Sequence, residues 1–225
     1  MSEMTDSSNK PATIILSGGG NEQQTFELDA FFFEKIKQGG SVLYIPIALR
    51  GHEYFNTAAN WFLDVVKIHG RENDLEITTI YDLETKFVLD QFDAIYIGGG
   101  NTWNLLQEIR DSGYDKMLTE YVQSGKVLYG GSAGAILFGK DISCQHDEKS
   151  INIDSAGLNL IGGHSVACHY NLNDDEDIVE WVENNNKIIG IPENGGVILI
   201  DGEITQVIGG NSFIFNSDGK EPIRS

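Results

Sequence analysis

Three short apolar runs in this chain end on clusters of glycine, and that punctuation constrains the fold more than any other feature. Ala12 to Leu16 is closed by Ser17-Gly18-Gly19-Gly20, Ala94 to Ile97 by Gly98-Gly99-Gly100-Asn101, and Lys126-Val127-Leu128 by Tyr129-Gly130-Gly131-Ser132-Ala133-Gly134-Ala135. Short β-rich runs bounded by glycine read as buried strands. Helical patterns fill the gaps between them. Phe26 to Ile36 has helical periodicity. After a further strand at Ser41 to Pro46, the residues Tyr54, Phe55, Ala58, Ala59, Phe62, Val65 and Val66 recur at the spacing of a helix with one apolar face. Leu75 to Ile80 reads as a strand. Thr102 stands where it can cap a helix carrying Trp103, Leu106 and Ile109 on one side, and Asp115 to Val122 predicts a short second helix before Val127.

Beyond Ser132 the pattern changes to short β runs separated by Gly and Asp turns, at Ile188 to Ile191, Val197 to Ile200, Glu203 to Ile208 and Phe213 to Phe215, with only Asp177 to Glu183 helical. The alternation predicts an α/β fold, a three-layer sandwich whose mostly parallel central sheet is covered by helices on both faces and extended by antiparallel strands at its C-terminal end. A chain of 225 residues, 40% of them hydrophobic and with no linker-like stretch, can bury a full core. One domain spanning 11–225 is expected, after a disordered tail at 1–10.

Charge narrows the partners. Fifteen basic residues against 34 acidic ones give a formal net charge of -19, which repels phosphate backbones and anionic headgroups, so neither nucleic acid nor a membrane surface is expected as a partner. No window approaches the roughly 18 apolar residues of a membrane span, and the polar stretch Met1 to Lys10 has no apolar signal core, which points to the cytoplasm. Cys144 and Cys168 form no CxxC pair and read as reduced thiols. The five histidines show no HxxxH, so no metal is expected.

In a sheet of this kind reactive groups gather where the loops leave the carboxyl ends of the strands. Neither glycine triplet continues as GxGxxG, and no GxxxxGK[ST] is present, so the nucleotide-binding patterns are absent. Gly130-Gly131-Ser132-Ala133-Gly134 instead fits G-x-S-x-G, the sharp strand-to-helix turn that thrusts a serine hydroxyl into the open with small neighbours on either side. Ser132 could simply cap a helix starting at Ala133. The preceding strand and the neighbouring Gly98-Gly99-Gly100 loop favour a nucleophile, with the N–H of Ala133 turned toward a developing oxyanion. A serine nucleophile needs a base and the base an orienting acid. His146, His164 and His169 lie downstream of Ser132, and His169 sits at a strand-to-helix junction; the residues alone do not choose among the three.

Gly98-Gly99-Gly100-Asn101-Thr102 with Leu105-Leu106, then Gly131-Ser132-Ala133-Gly134-Ala135, then His169-Tyr170, then Gly190-Ile191-Pro192-Glu193, resemble in order and spacing the peptidase E family, which includes Asp-specific dipeptidases and cyanophycinase, from Ile14 to about Ile208. The resemblance implies a flavodoxin-like fold similar to class I glutamine amidotransferases, and a cytoplasmic serine exopeptidase acting on a dipeptide or other small peptide, without cofactor or metal, as a homodimer. It implies Ser132 as nucleophile and His169 as general base. Two carboxylates match candidate acids, Asp147 and Glu193. Ala133 with Gly99 or Gly100 would supply the oxyanion donors, and Asn101 would brace their loop.

One departure concerns the substrate. The Asp-specific branch carries arginines after the catalytic histidine, whereas this chain has no Lys or Arg between Lys149 and Lys187 and places Asp174-Asp175-Glu176-Asp177 there. That run reads either as an acidic first turn of a helix or as a field favouring a cationic substrate group; Arg50 and Lys140 are the cations that could reach the site from elsewhere. An esterase and a non-catalytic small-molecule binding protein on the same scaffold are the rival readings. In an α/β-hydrolase esterase the histidine usually lies near the chain end, and none follows His169 here.

Overall fold

The strand expected at Ala12 to Leu16 forms as β1 (Thr13–Ser17) with every residue buried, and its side chains divide between two cores. Ile14 and Leu16 join one hydrophobic cluster and Ile15 the other, as the two-residue repeat of a strand covered on both faces requires. The computed structural model describes residues 10–145, 147, 149, 152–185 and 187–224; of the expected N-terminal tail only Lys10 is among them.

After β1 come α1 (Phe26–Glu34), β2 (Ser41–Ile45), α2 (Ala58–Ile68), β3 (Glu76–Thr79), β4 (Ala94–Ile97), α3 (Thr102–Ser112), α4 (Tyr114–Gln123), β5 (Val127–Gly131) and α5 (Ala133–Leu137). The remainder is β6 (Ser165–Ala167), α6 (Asp175–Asn185), β7 (Ile188–Gly190), β8 (Gly195–Ile200), β9 (Glu203–Gly209), β10 (Phe213–Asn216) and β11 (Gly219–Pro222). Seven strands form the large sheet in the order β3-β2-β4-β5-β1-β8-β9. The first five pair parallel, and β8 and β9 extend them antiparallel, as the C-terminal pattern predicts.

Helices α1 and α2 lay Phe32, Phe33, Phe62 and Val65 on one face, where Tyr44 stacks on Phe62 at 4.4 Å and Tyr96 on Tyr129 at 4.1 Å. Helices α3, α4 and α5 cover the other face with Leu105, Leu106, Ile109, Leu118 and Leu137. Not all of the C-terminal runs join this sheet. β7 and β10 pair with β6 and β11 in a separate four-stranded sheet, packed around Tyr170, Ile178, Ile188 and Phe215. This second sheet carries the residues on either side of β6 and β7 up to the rim of the first. Among the described residues no helix is long and apolar enough to cross a membrane.

Asp29 is an exception to the apolar filling. It lies on α1 with 2% exposure, accepting a 2.7 Å hydrogen bond from the Thr25 hydroxyl. Burial lifts its carboxyl from 3.8 to about 6, against the opposing pull of the Thr25 bond. A folded-state value above the unfolded one means stability that is full at acid pH and is lost as pH rises through about 6. The loss at pH 8 relative to pH well below 3.8 amounts to about 3 kcal/mol. Asp29→Asn keeps an acceptor for Thr25 and removes the charge. Its melting temperature should exceed that of the parent at pH 8 and match it at about pH 3, below the unfolded value of 3.8; an equal difference at both pH values would contradict this assignment.

Candidate active site

The turn from β5 into α5 carries Ser132 at φ 47°, ψ −107°, a left-handed conformation costly for a residue with a side chain. Two close approaches enforce it. A Cβ on Gly134 would lie 2.5 Å from the Ile97 carbonyl oxygen, and one on Gly130 would lie 2.5 Å from the backbone of Gly134 itself, so the helix can sit against the end of β4 only without side chains there. The Ser132 N–H donates to Ser17 O at 3.0 Å, tying the turn to the end of β1. Its hydroxyl makes no cap bond to α5. Ser132 Oγ lies instead 2.8 Å from Nε2 of His169.

His169 follows β6 and is also held at positive φ, 55°. Its N–H donates to Gly18 O at 2.9 Å, and its ring lies over Gly19, where a Cβ would come within 2.3 Å of Cε1. The first glycine triplet is the floor beneath the imidazole. Gly19→Ala meets both the ring and a φ of 108°. A ring displaced by about 1 Å costs on the order of 10²-fold in rate, so the variant should lose that much kcat with its fold intact by circular dichroism. Retention of full activity would show that the ring position is not tightly set.

Behind the imidazole stands Glu193, three residues beyond β7. His169 Nδ1 lies 3.2 Å from Glu193 Oε1, and the other carboxylate oxygen accepts from Gln24 Nε2 at 3.3 Å. Both partners of the His169–Glu193 pair are half exposed, at 51% and 52%, so water screens the interaction. Asp147, the other candidate acid, is engaged elsewhere. Its Oδ2 accepts the Thr102 N–H at 2.7 Å, a carboxylate at the N-terminus of α3, where the helix dipole favours it. Gln24 carries no signal in the sequence, because its contact with Glu193 spans 169 positions.

Among the described residues no other histidine hydrogen-bonds to Ser132. His164 Nδ1 lies 2.9 Å from Ile161 O, and His69 stacks on Phe26 at 4.6 Å, where burial lowers its pKa. His146 lies outside the described residues.

The second glycine triplet borders Ser132. A Cβ on Gly99 would be 3.2 Å from Ser132 Cβ, and one on Gly100 only 2.2 Å from Ala48 O. The flanking amides are occupied, Gly98 N–H by Ile45 O at 3.1 Å and Asn101 N–H by Ala48 O at 2.8 Å. Among the described residues no acceptor takes the N–H of Gly99, Gly100 or Ala133. The cap of α3 is Asn101 and not Thr102: the Asn101 Oδ1 accepts the Asn104 N–H at 2.9 Å, one residue earlier than the sequence suggests, and so fixes the loop. Cys168 lies beneath, its Sγ 3.6 Å from Ser17 O and 3.5 Å from Ser132 O, and burial pushes its thiol far above the usual range.

Two cavities meet at Ser132, His169 and Gly100, one of about 580 Å³ and one of about 380 Å³. Among their described lining residues neither has a Lys or Arg. Arg50 is committed to Glu108 at 2.5 Å and to Tyr81 O at 2.7 Å, and Lys140 lines neither cavity. In the acidic run after His169, Asp175 pairs with Lys220 at 2.8 Å and opens α6 together with Glu176 and Asp177, while Asp174 reaches the smaller cavity.

Residues 13–208 match Peptidase family S51. An uncharacterized peptidase of Listeria monocytogenes is 32% identical over 157 residues, 67% of this chain and 75% of that protein. Peptidase E of Pasteurella multocida is 26% identical over 203 residues, 82% of this chain and 81% of its own. Among solved structures, a candidate peptidase E from Listeria monocytogenes superposes with a TM-score of 0.68 at 25% identity, covering 89% of this chain and 99% of that one. A peptidase from an acI-B1 Actinobacterium shares the fold with a TM-score of 0.74 at 17% identity over 96% of both chains.

Proposed function

This chain belongs to peptidase family S51 and is a serine-type peptidase, and we propose that Ser132 is its nucleophile, His169 its general base and Glu193 the acid that orients the base. The observation that carries this reading is the 2.8 Å approach of Ser132 Oγ to His169 Nε2 at a strained turn. Ser132 Oγ attacks the scissile carbonyl carbon while its proton passes to Nε2. Glu193 keeps the other ring proton on Nδ1, so Nε2 faces the serine as an acceptor, and it steadies the imidazolium that forms.

The oxyanion of the tetrahedral intermediate accepts from Ala133 N–H and from Gly99 or Gly100 N–H. Such donors are worth about 3 kcal/mol each, because they are already aimed where charge develops. His169 then protonates the leaving amine as the C–N bond breaks, leaving an ester on Ser132. Water attacks that ester with His169 again as base, the carboxylic acid leaves, and Ser132 recovers its proton. The substrate is a dipeptide or other short peptide. Cavities of about 580 and 380 Å³ that both reach Ser132 suit small molecules rather than a long extended chain.

A fluorophosphonate tests this directly. It should add to the peptide containing Ser132 at neutral pH, with labelling lost in His169→Ala. Absence of an adduct on Ser132 in active protein would refute the assignment of Ser132 as the nucleophile.

A further inference from the structure

The larger cavity has a composition that the reaction itself does not require. Its floor is the glycine loops with Ser132 and His169, and its wall is Tyr44, Tyr96, Trp61, Tyr54 and Leu49. Tyr44 and Tyr96 are buried and locked by their stacking on Phe62 and Tyr129, so that part of the wall is preformed. Tyr54 and Trp61 stand at the mouth, 60% and 36% exposed, with Trp61 Nε1 donating to Glu22.

The threonine hydroxyls among the lining residues are already used internally. Thr25 donates to Asp29 Oδ2 at 2.7 Å, and Thr57 to Tyr54 O at 3.1 Å. What the wall offers a ligand is therefore chiefly the exposed rings of Tyr54 and Trp61, backed by the buried Tyr44 and Tyr96. A carboxylate brought into it would lose its water and meet no cation, since Arg50 is held by Glu108 and Tyr81 O. An aromatic side chain there finds edge and face contacts on several rings.

We propose that the cavity of about 580 Å³ selects short peptides by an uncharged aromatic side chain on one side of the scissile bond, and does not select an acidic one. The inference rests on the reading of Ser132 and His169 as the reacting pair, and it concerns which group is held beside them.

Calorimetry with Ser132→Ala protein, which binds without turnover, separates the two. Dipeptides carrying Phe, Tyr, Ala, Asp or Lys are compared at the first and at the second position. At one position Phe and Tyr should bind about tenfold tighter than Asp or Lys. Tyr54→Ala, a rim substitution that leaves the core intact, and Trp61→Ala should each erode that advantage by about threefold or more while changing affinity for the Ala peptide less than about twofold. Asp or Lys binding as tightly as Phe at both positions, or an aromatic preference indifferent to both rim variants, would overturn the proposal. Because these measurements involve no chemistry at Ser132, they can fail while the fluorophosphonate still labels Ser132, and the reverse.

Discussion

Ser132→Ala should lower kcat/KM for any peptide substrate by about 10⁴-fold or more, leaving only the rate that the amide donors and bound water can supply. The loss should fall in kcat, because the hydroxyl forms its bond only in the reaction and adds little to ground-state binding. Ser132→Gly sharpens the result. It removes the hydroxyl together with the Cβ that is strained at φ 47°. It should therefore be as inactive as the alanine variant yet more stable, by about 1 kcal/mol, as relief of a left-handed conformation allows. Activity lost together with stability gained is the signature of a residue kept under strain for its chemistry. A glycine variant less stable than the parent would mean that the turn is held by something other than the geometry described.

The second large effect separates the two carboxylates. Glu193→Gln leaves a group of the same shape beside Nδ1 but can present an N–H there, which disfavours the tautomer that Ser132 needs and no longer stabilises an imidazolium. In a buried triad that change costs about 10⁴-fold. Here the pair is 3.2 Å apart and half exposed, so a loss nearer 10²-fold in kcat is expected, with KM little changed. Asp147→Asn removes a charge from the N-terminus of α3, where the carboxylate accepts the Thr102 N–H. It should leave kcat within about threefold and lower thermal stability modestly. The opposite ranking, with Asp147→Asn the more damaging, would return Asp147 to consideration as the orienting acid.

Much of this architecture is legible in the residue pattern, for a physical reason. Strands such as β1 and β4 are covered on both faces, so they appear as unbroken apolar runs, and the elbow appears as small residues because backbone meets backbone at Gly130 and Gly134. The second sheet is harder to read. Runs as short as Ile188 to Ile191 do not say which strand they will pair with, and β7 joins β6 and β10 rather than the large sheet.

The same limit applies at the site. Asp147 and Glu193 are equally plausible in one dimension, and the difference lies in where β7 delivers the chain, beside His169 and Gln24. Asn101 and Thr102 are both capping residues, and only the backbone geometry assigns the cap to Asn101. Gly19 shows its purpose only because a ring 150 positions away settles on it.

The most direct test of the central claim is to trap the acyl-enzyme. An activated ester of a short peptide, mixed with the enzyme, quenched in acid within milliseconds and digested, should yield the acyl mass on the peptide containing Ser132, formed in a burst stoichiometric with enzyme. An acyl group on any other residue, or turnover without a covalent intermediate, would contradict the account.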